Sequence, residues 1–408
     1  YLGRNTNTGG IKAKNEWVHS TKWDCVIFDE YHFGAWRENA KDLFGKDIEA
    51  DKEIEDYKKF EAEGIEEEDK VDHLEKILPI NTDHYLYLSG TPFRAISTGE
   101  FIEEQIFNWT YSDEQRSKEN WQGADNPYAS LPRMVMLTYQ LPDSIRHIAM
   151  QGEFDGFDLN IFFSAEGEDR KAFFKYEDEV QKWLDLIRGS FSETTVDNLK
   201  MGAKKPPLPF SHAPLLRVLN HTLWFLPSVA ACHAMANLLE KRQNMFYHEY
   251  KVVVAAGTQA GMGVHALQPV LNAMTDNPLE SKTITLSCGK LTTGVSVKPW
   301  TGIFMLRNSS SPETYFQAAF RVQTPWTIKN PDNKSPNKVE ILKEECYVFD
   351  FAPDRALRQI ADYSCSLNVN DTNPESKVAE FINFLPVLAY DGSSMKQVDA
   401  AGILDMAM

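Results

Sequence analysis

No apolar run in this sequence approaches the roughly 18 to 20 residues that a membrane-spanning helix needs. That absence excludes insertion into a bilayer as a helical bundle. The chain starts at Tyr1 without a basic segment followed by an apolar one, so no secretory signal is expected. Cysteine is scarce: Cys25, Cys232, Cys288, Cys346 and Cys365 are odd in number and widely spaced. No CxxC or Cys/His grouping offers zinc spacing, and the five read as reduced core thiols of a cytoplasmic protein. Positive charge is also in deficit. The formal net charge is −17, which speaks against a protein that wraps nucleic acid through a generally basic surface.

What is present is a chain of 408 residues with 42% hydrophobic and 25% charged residues, ordinary values for globular domains and enough length for two or three of them. The acidity is local. Residues 47–75 hold fourteen acids against Lys52, Lys58, Lys59 and Lys70, so most of the excess sits in one window. Its large apolar residues, from Ile54 to Ile77, are spaced by threes at each end and interrupted between. This predicts a solvated acidic helical insert over residues 46–80, bent between Gly64 and Lys70.

Around the insert, short apolar runs alternate with helical patterns. Residues 23–28 (WDCVIF), 84–88 and 133–141 (RMVMLTYQL) read as strands. A helical stretch including residues 169–187 follows, then an exposed connection over 200–209 (KMGAKKPPLP). Beyond it, strands are expected at 221–226, 250–255, 283–287, 302–306 and 346–351, with helices at 228–241, 264–274, 312–322 and 353–363. Short strands apolar on both faces and separated by helices imply parallel sheets with right-handed crossovers. The fold class is therefore α/β. Expected divisions are 1–142 for a first lobe, 143–210 for a helical insert and linker, 211–363 for a second lobe, and 364–408 for the start of a C-terminal helical extension.

Chemistry in such sheets gathers where strands end at their carboxyl edge. Asp29 and Glu30 follow the first run: one acid can hold magnesium through water while the next orients a water attacking a phosphoryl group. His32 comes two residues later. The second run leads into Ser89-Gly90-Thr91-Pro92, an arrangement suited to a tight turn with free hydroxyls. In the second half, Lys290-Leu291-Thr292-Thr293-Gly294 follows a strand, where main-chain N–H groups can meet phosphate oxygens. Gln317 and Arg321 sit one turn apart on a helix. Each of these features also has a bland reading as a capped turn, a strand end or a surface pair.

Their order is more informative. The acid-acid-x-His box, the Ser-Gly-Thr-Pro turn, the Thr-Thr-Gly loop and the Gln-x-x-x-Arg helix resemble motifs II, III, V and VI of superfamily 2 helicases and translocases. The segments YLGRNTNTGGIKAKNEW, VIFDEYHFGAWRE, YLSGTPFRA, EQIFNWTYSDEQ, NPYASLPRMVMLTYQLP, KLTTGVSVKPWTG and AFRVQ are similar to the DEAD/DEAH-type helicase region of type III-like restriction enzyme subunits. The likeness extends to about residue 363 and then fades.

The resemblance implies two RecA-like lobes closing on ATP and Mg2+. It places Asp29 at the magnesium, Glu30 at the hydrolytic water, and His32 next to the coupling residues Ser89, Gly90 and Thr91. Thr292 and Thr293 would lie by the nucleic-acid backbone, with Ser228 as a motif IV contact. Gly294, Gln317 and Arg321 would face the nucleotide, Arg321 as an arginine finger. Duplex DNA is the implied substrate track and a methyltransferase subunit the implied partner. A non-catalytic nucleic-acid-binding scaffold and an RNA helicase are the rival expectations.

Two departures qualify the likeness. Thr324 stands where the family carries a second arginine. The phosphate-binding GxxxxGK[ST] does not occur, and only 28 residues precede Asp29, so the chain reads as a fragment with little or no ATP hydrolysis of its own. A nuclease core is likewise missing. Glu340 and Lys343 are set one residue too far apart for Glu-x-Lys, and Lys343 is expected at the surface.

Overall fold

The structure is a computed structural model that describes residues 16–28, 82–88, 105–149, 157–191, 206–257, 264–292, 295–309, 311–330, 339–367, 373–392 and 394–407. The chain divides into two compact units, Tyr1–Phe107 and Asn108–Met408.

In the first unit a short helix, α1 (Glu16–Ser20), precedes β1 (Trp23–Phe28), which pairs in parallel with β2 (Thr82–Tyr87). The register sets Cys25 against His84 and Phe28 against Tyr87, so both strands end at the same edge. The runs expected as strands at 23–28 and 84–88 therefore form, the second over residues 82–87. Trp23 anchors the entry to β1, donating its ring N–H to the Val18 oxygen at 2.9 Å. The acidic insert over 46–80 lies outside the described residues.

The second unit is built on an eight-stranded sheet. Its strands are β3 (Arg133–Tyr139), β6 (His221–Phe225), β7 (Lys251–Val254), β8 (Thr283–Ser287), β9 (Gly302–Met305), β12 (Glu345–Asp350), β13 (Val387–Tyr390) and β14 (Met395–Gln397), in the order β14-β13-β3-β12-β9-β6-β8-β7. All neighbours are parallel except the edge pair β13–β14. Two small hairpins lie apart from it, β4 (Ala165–Glu166) with β5 (Phe173–Phe174) and β10 (Thr327–Lys329) with β11 (Val339–Ile341). Every residue of β6 and β8 is buried, as expected of central strands covered by helices on both faces.

The helices follow from their spacing. In α3 (Glu177–Ile187) the buried residues Val180, Trp183, Leu184 and Ile187 fall at i, i+3, i+4 and i+7, and three acids fill the first turn, where the helix dipole favours negative charge. Trp183 meets Trp224 edge-on at 5.7 Å and Phe351 at 5.2 Å, which fixes α3 to the sheet face. The remaining helices used below are α2 (Tyr111–Asn120), α4 (Val229–Leu239), α5 (Val264–Met274), α6 (Pro312–Ala319), α7 (Pro353–Leu367), α8 (Pro374–Phe384) and α9 (Ala400–Ala407).

Three expectations change. First, β3 was expected in the first lobe, with a boundary at 142. It instead lies between β12 and β13, pairing Phe349 with Leu137 and Ala389 with Thr138. Met134, Met136, Leu137, Thr138 and Tyr139 are all buried, and a strand so covered needs a neighbour on each side. The units consequently part after Phe107. Second, the connection expected to be exposed over 200–209 ends inside the core. Leu208 and Phe210 are buried, and Phe210 stacks on Phe304 at 5.5 Å. Third, residues 364–408 are not only helical, because β13 and β14 complete the sheet. The five cysteines form no disulfide with one another; Cys232, Cys288 and Cys346 are buried as expected of core thiols, whereas Cys25 is exposed and Cys365 partly so.

Candidate functional site

The parallel strands of the large sheet deliver their carboxyl ends to one edge. From β6 the chain runs outward to β7 and back to β8, and then crosses to the other side for β9. The order reverses between β6 and β9, and crevices in open α/β sheets form at such points.

Arg307, directly after β9, occupies that position. Its guanidinium lies over the Phe225 ring at 5.0 Å and donates to the Cys288 oxygen at 2.8 Å. Cation–π and carbonyl contacts together hold the end of β9 to the ends of β6 and β8.

The loop after β8 is latched to the end of β7. Ser287 donates through its hydroxyl to Ala255 O at 3.0 Å and also to Lys290 O. The Lys290 ammonium donates to Gly257 O, a second tie between the loop and the end of β7. Gly257 has φ +71°, a conformation that glycine adopts without strain. Thr292 Oγ1 donates to Gly289 O at 2.6 Å, closing the turn.

Ser228, at the end of β6, is the N-cap of α4. Its hydroxyl oxygen accepts from Ala231 N at 3.1 Å, satisfying one of the helix's open donors.

Helix α6 follows the end of β9 and leads into the turn Phe320–Gln323. Arg321 is half-buried there. It donates through Nε to Gln317 O at 3.1 Å and through an η-nitrogen to Val295 O at 2.9 Å. The structure thus joins the Arg321 turn to the segment that follows the Thr292 loop. Thr293 and Gly294 lie outside the described residues, as do Asp29, Glu30, His32, Ser89, Gly90 and Thr91.

A second cluster at the same edge was not anticipated. Asp350, the last residue of β12, is 2% exposed; it accepts from Tyr315 OH at 2.9 Å and from Ala352 N at 2.8 Å. Burial pushes its carboxyl up to about 7, against the pull of those donors and of Arg355. Burial also raises the Tyr315 phenol, with Asp350 adding to it. Beside them Gln359 donates to Ser309 O at 2.9 Å, while its own carbonyl oxygen is buried with no hydrogen-bond partner. Asn308 donates to Asp158 Oδ1 at 2.8 Å and accepts from Leu159 N at 3.2 Å. Arg355 completes the group at 3.8 Å from Asp158. These side chains enclose a cavity of about 10 Å³, room for one water. The available signal was an acid ending an otherwise apolar strand.

Lys343 is the other residue that sequence reasoning misplaced. It was expected at the surface but is 2% exposed, because three main-chain oxygens, from Lys298, Trp300 and Val322, surround its ammonium. Among the described residues no group of three or more His, Cys, Asp or Glu side chains is placed to hold a metal ion, and no helix is long and apolar enough to cross a membrane.

The fold and this edge define a mixed α/β protein with a large, mainly parallel sheet and polar residues at its strand ends. No known family profile matches the chain. It is 28% identical over 400 residues to a Mycoplasma pneumoniae protein described as "Putative type II restriction enzyme and methyltransferase RM.MpnORF110P C-terminus". The match covers 92% of this chain and 52% of that protein, so the chain spans about half the length of this relative. Among solved structures it is similar to "ATP-dependent Type ISP restriction-modification enzyme LlaBIII bound to DNA", at TM-score 0.40 and 13% identity, over 91% of this chain and 21% of that one.

Proposed function

We propose that this chain is the motor core of a restriction–modification enzyme, a superfamily 2 helicase or translocase that uses ATP to move on duplex DNA in the cytoplasm. The observation that carries the reading is the hydrogen bond from Arg321 to Val295 O. It links the turn that carries the arginine of the Gln-x-x-x-Arg box to the segment that follows the Thr-Thr-Gly box. The restriction-enzyme relative supports the biological setting.

In this reading the two units are RecA-like lobes. Asp29 would hold a magnesium ion, Glu30 would orient the attacking water, and His32 would connect them to Ser89, Gly90 and Thr91. Gly294, Gln317 and Arg321 face the nucleotide from the second lobe. A half-buried arginine held by carbonyls can exchange them for phosphoryl oxygens, on which charge builds during transfer. Thr292, Thr293 and Ser228 lie along the DNA backbone, and a methyltransferase subunit or domain acts alongside. A magnesium ion held there would neutralise charge on the nucleotide.

The test is ATP hydrolysis by the full-length protein with duplex DNA, single strands or RNA added. Stimulation by duplex DNA that is lost in Glu30→Gln supports the reading. Stimulation by RNA alone would transfer the motor to another polymer. Salt-dependent DNA binding without any response to nucleotide would make the chain a scaffold.

A further inference from the structure

The ammonium of Lys343 sits beneath the turn that carries Arg321. A lysine has three N–H donors, and all three go to main-chain oxygens: Lys298 at 2.8 Å, Trp300 at 2.8 Å and Val322 at 2.9 Å. Two acceptors belong to the segment between Val295 and β9, and the third is the neighbour of Arg321. Among the described residues Lys343 forms no ion pair. Burying an ammonium costs several kcal/mol unless its hydrogen bonds are made good, and a methionine would fill the same space without that cost. What the charge adds is a three-way main-chain clamp between residues 298–300 and Phe320–Gln323.

Arg321 bridges the same two segments through Val295 O at 2.9 Å. Its bridge differs in one respect: a guanidinium that turns to a phosphoryl group must give up Val295, and the link it made is then lost. None of the three Lys343 bonds goes to Arg321.

We propose that Lys343 is a positioning residue, which holds the Phe320–Gln323 turn on segment 295–300 so that Arg321 can leave Val295 without the turn coming away from the sheet. The clamp rests on geometry alone; its effect on turnover rests on the motor reading above. Burial lowers the Lys343 ammonium to about 8, so it loses its charge within an ordinary assay range. The titratable group facing it from β12 is the Cys346 thiol, which burial pushes up to about 12 and which stays neutral there. From the other two segments, the Lys298 side chain is exposed and Arg321 is directed to Val295.

The experiment compares Lys343→Met and Lys343→Arg with wild type in the full-length protein, by amide hydrogen exchange and by DNA-stimulated ATP hydrolysis. In Lys343→Met, exchange at 320–323 and 295–300 rises together by roughly tenfold or more, while β6 and β8 are unchanged. Its kcat falls roughly 10- to 100-fold with KM for ATP nearly constant, the pattern of a misplaced group and not of lost binding. Wild-type kcat declines as pH rises through about 8. Lys343→Arg keeps its charge at every working pH and loses that decline.

Unchanged exchange in the two segments of Lys343→Met overturns the clamp, and unchanged kcat overturns its effect on Arg321. Should Lys343→Met not fold, an alkaline decline that persists in Lys343→Arg overturns the proposal. If wild type hydrolyses no ATP under any condition, the motor reading falls instead, and the exchange comparison still decides the clamp.

Discussion

Tyr315 donates its phenolic hydrogen to Asp350 at 2.9 Å, tying helix α6, which carries Gln317, to the carboxyl end of β12. The bond is buried on both sides, so its carboxyl is held up to about 7 from an ordinary 3.8. Between these values the folded protein keeps a proton that the unfolded chain has released. Stability contributed by this group is therefore full at low pH, is lost as pH rises from about 4 towards 7, and is flat above. Asp350→Asn preserves shape and cannot ionise. Urea unfolding followed from pH 4 to pH 8 is expected to show a fall in wild type that is smaller in the variant, and identical slopes would refute the assignment.

Removing the phenol alone probes the same contact from the other side. Tyr315→Phe leaves the Asp350 oxygen buried without this donor, and such losses cost about 1–3 kcal/mol. The loss should be larger at pH 8, where the carboxylate is charged, than at pH 5. Equal costs at both would mean that the carboxyl does not change state in this range.

The core makes a sharper demand. Trp183 is fully buried and packs edge-on against Phe163 at 5.2 Å, Trp224 at 5.7 Å and Phe351 at 5.2 Å. Trp183→Ala is expected to cost about 3–5 kcal/mol, with Trp183→Phe costing less because the cavity is smaller. Chemical denaturation of the two variants gives the comparison, and a cost below about 1 kcal/mol for alanine would mean that α3 is not fixed to the sheet as described.

Much of this architecture could be read from residue order. Strands β6, β8, β9 and β12 announce themselves as short apolar runs because parallel strands are covered on both faces. A run of this kind says strand without saying which sheet, and β3 shows the limit. Residues 133–139 are equally apolar whether they join β2 or β12, and only pairing with Cys346 and Phe349 assigns them. The helix expected over 312–322 forms as α6 but ends at Ala319, so that Arg321 falls in the turn that follows it. Lys343 was not legible, since a lysine reads as solvated until the carbonyls that enclose it are assembled from two separate segments. Asp350 is intermediate: the strand was visible, but the partner phenol lies 35 residues away.

Ser228 separates two roles that the sequence left superposed. As N-cap of α4 its oxygen already accepts from Ala231 N at 3.1 Å, and Ser228→Ala should cost about 1 kcal/mol of stability while Ser228→Gly costs a few tenths. A residue that also touches a DNA backbone would weaken binding equally in both variants. DNA affinity measured at one salt concentration is expected to follow that equal pattern under the proposed function. Affinity unchanged in both would leave Ser228 with the cap alone.

Arg321 carries the heaviest functional prediction. An arginine that meets the transferred phosphoryl group contributes about 10³- to 10⁵-fold to turnover in phosphoryl-transfer enzymes. Arg321→Ala in the full-length protein is expected to lower DNA-stimulated kcat by an amount of that order, with little change in KM for ATP. Arg321→Lys retains charge but not the planar two-pronged donor that reaches both Gln317 O and Val295 O, so it should recover only a small part. Under the proposed function Thr324 takes the place of a second arginine and cannot supply the charge. A reduction in kcat below about tenfold for Arg321→Ala would therefore move the finger to another cation of the same unit, with Arg307, above the Phe225 ring, the first to examine.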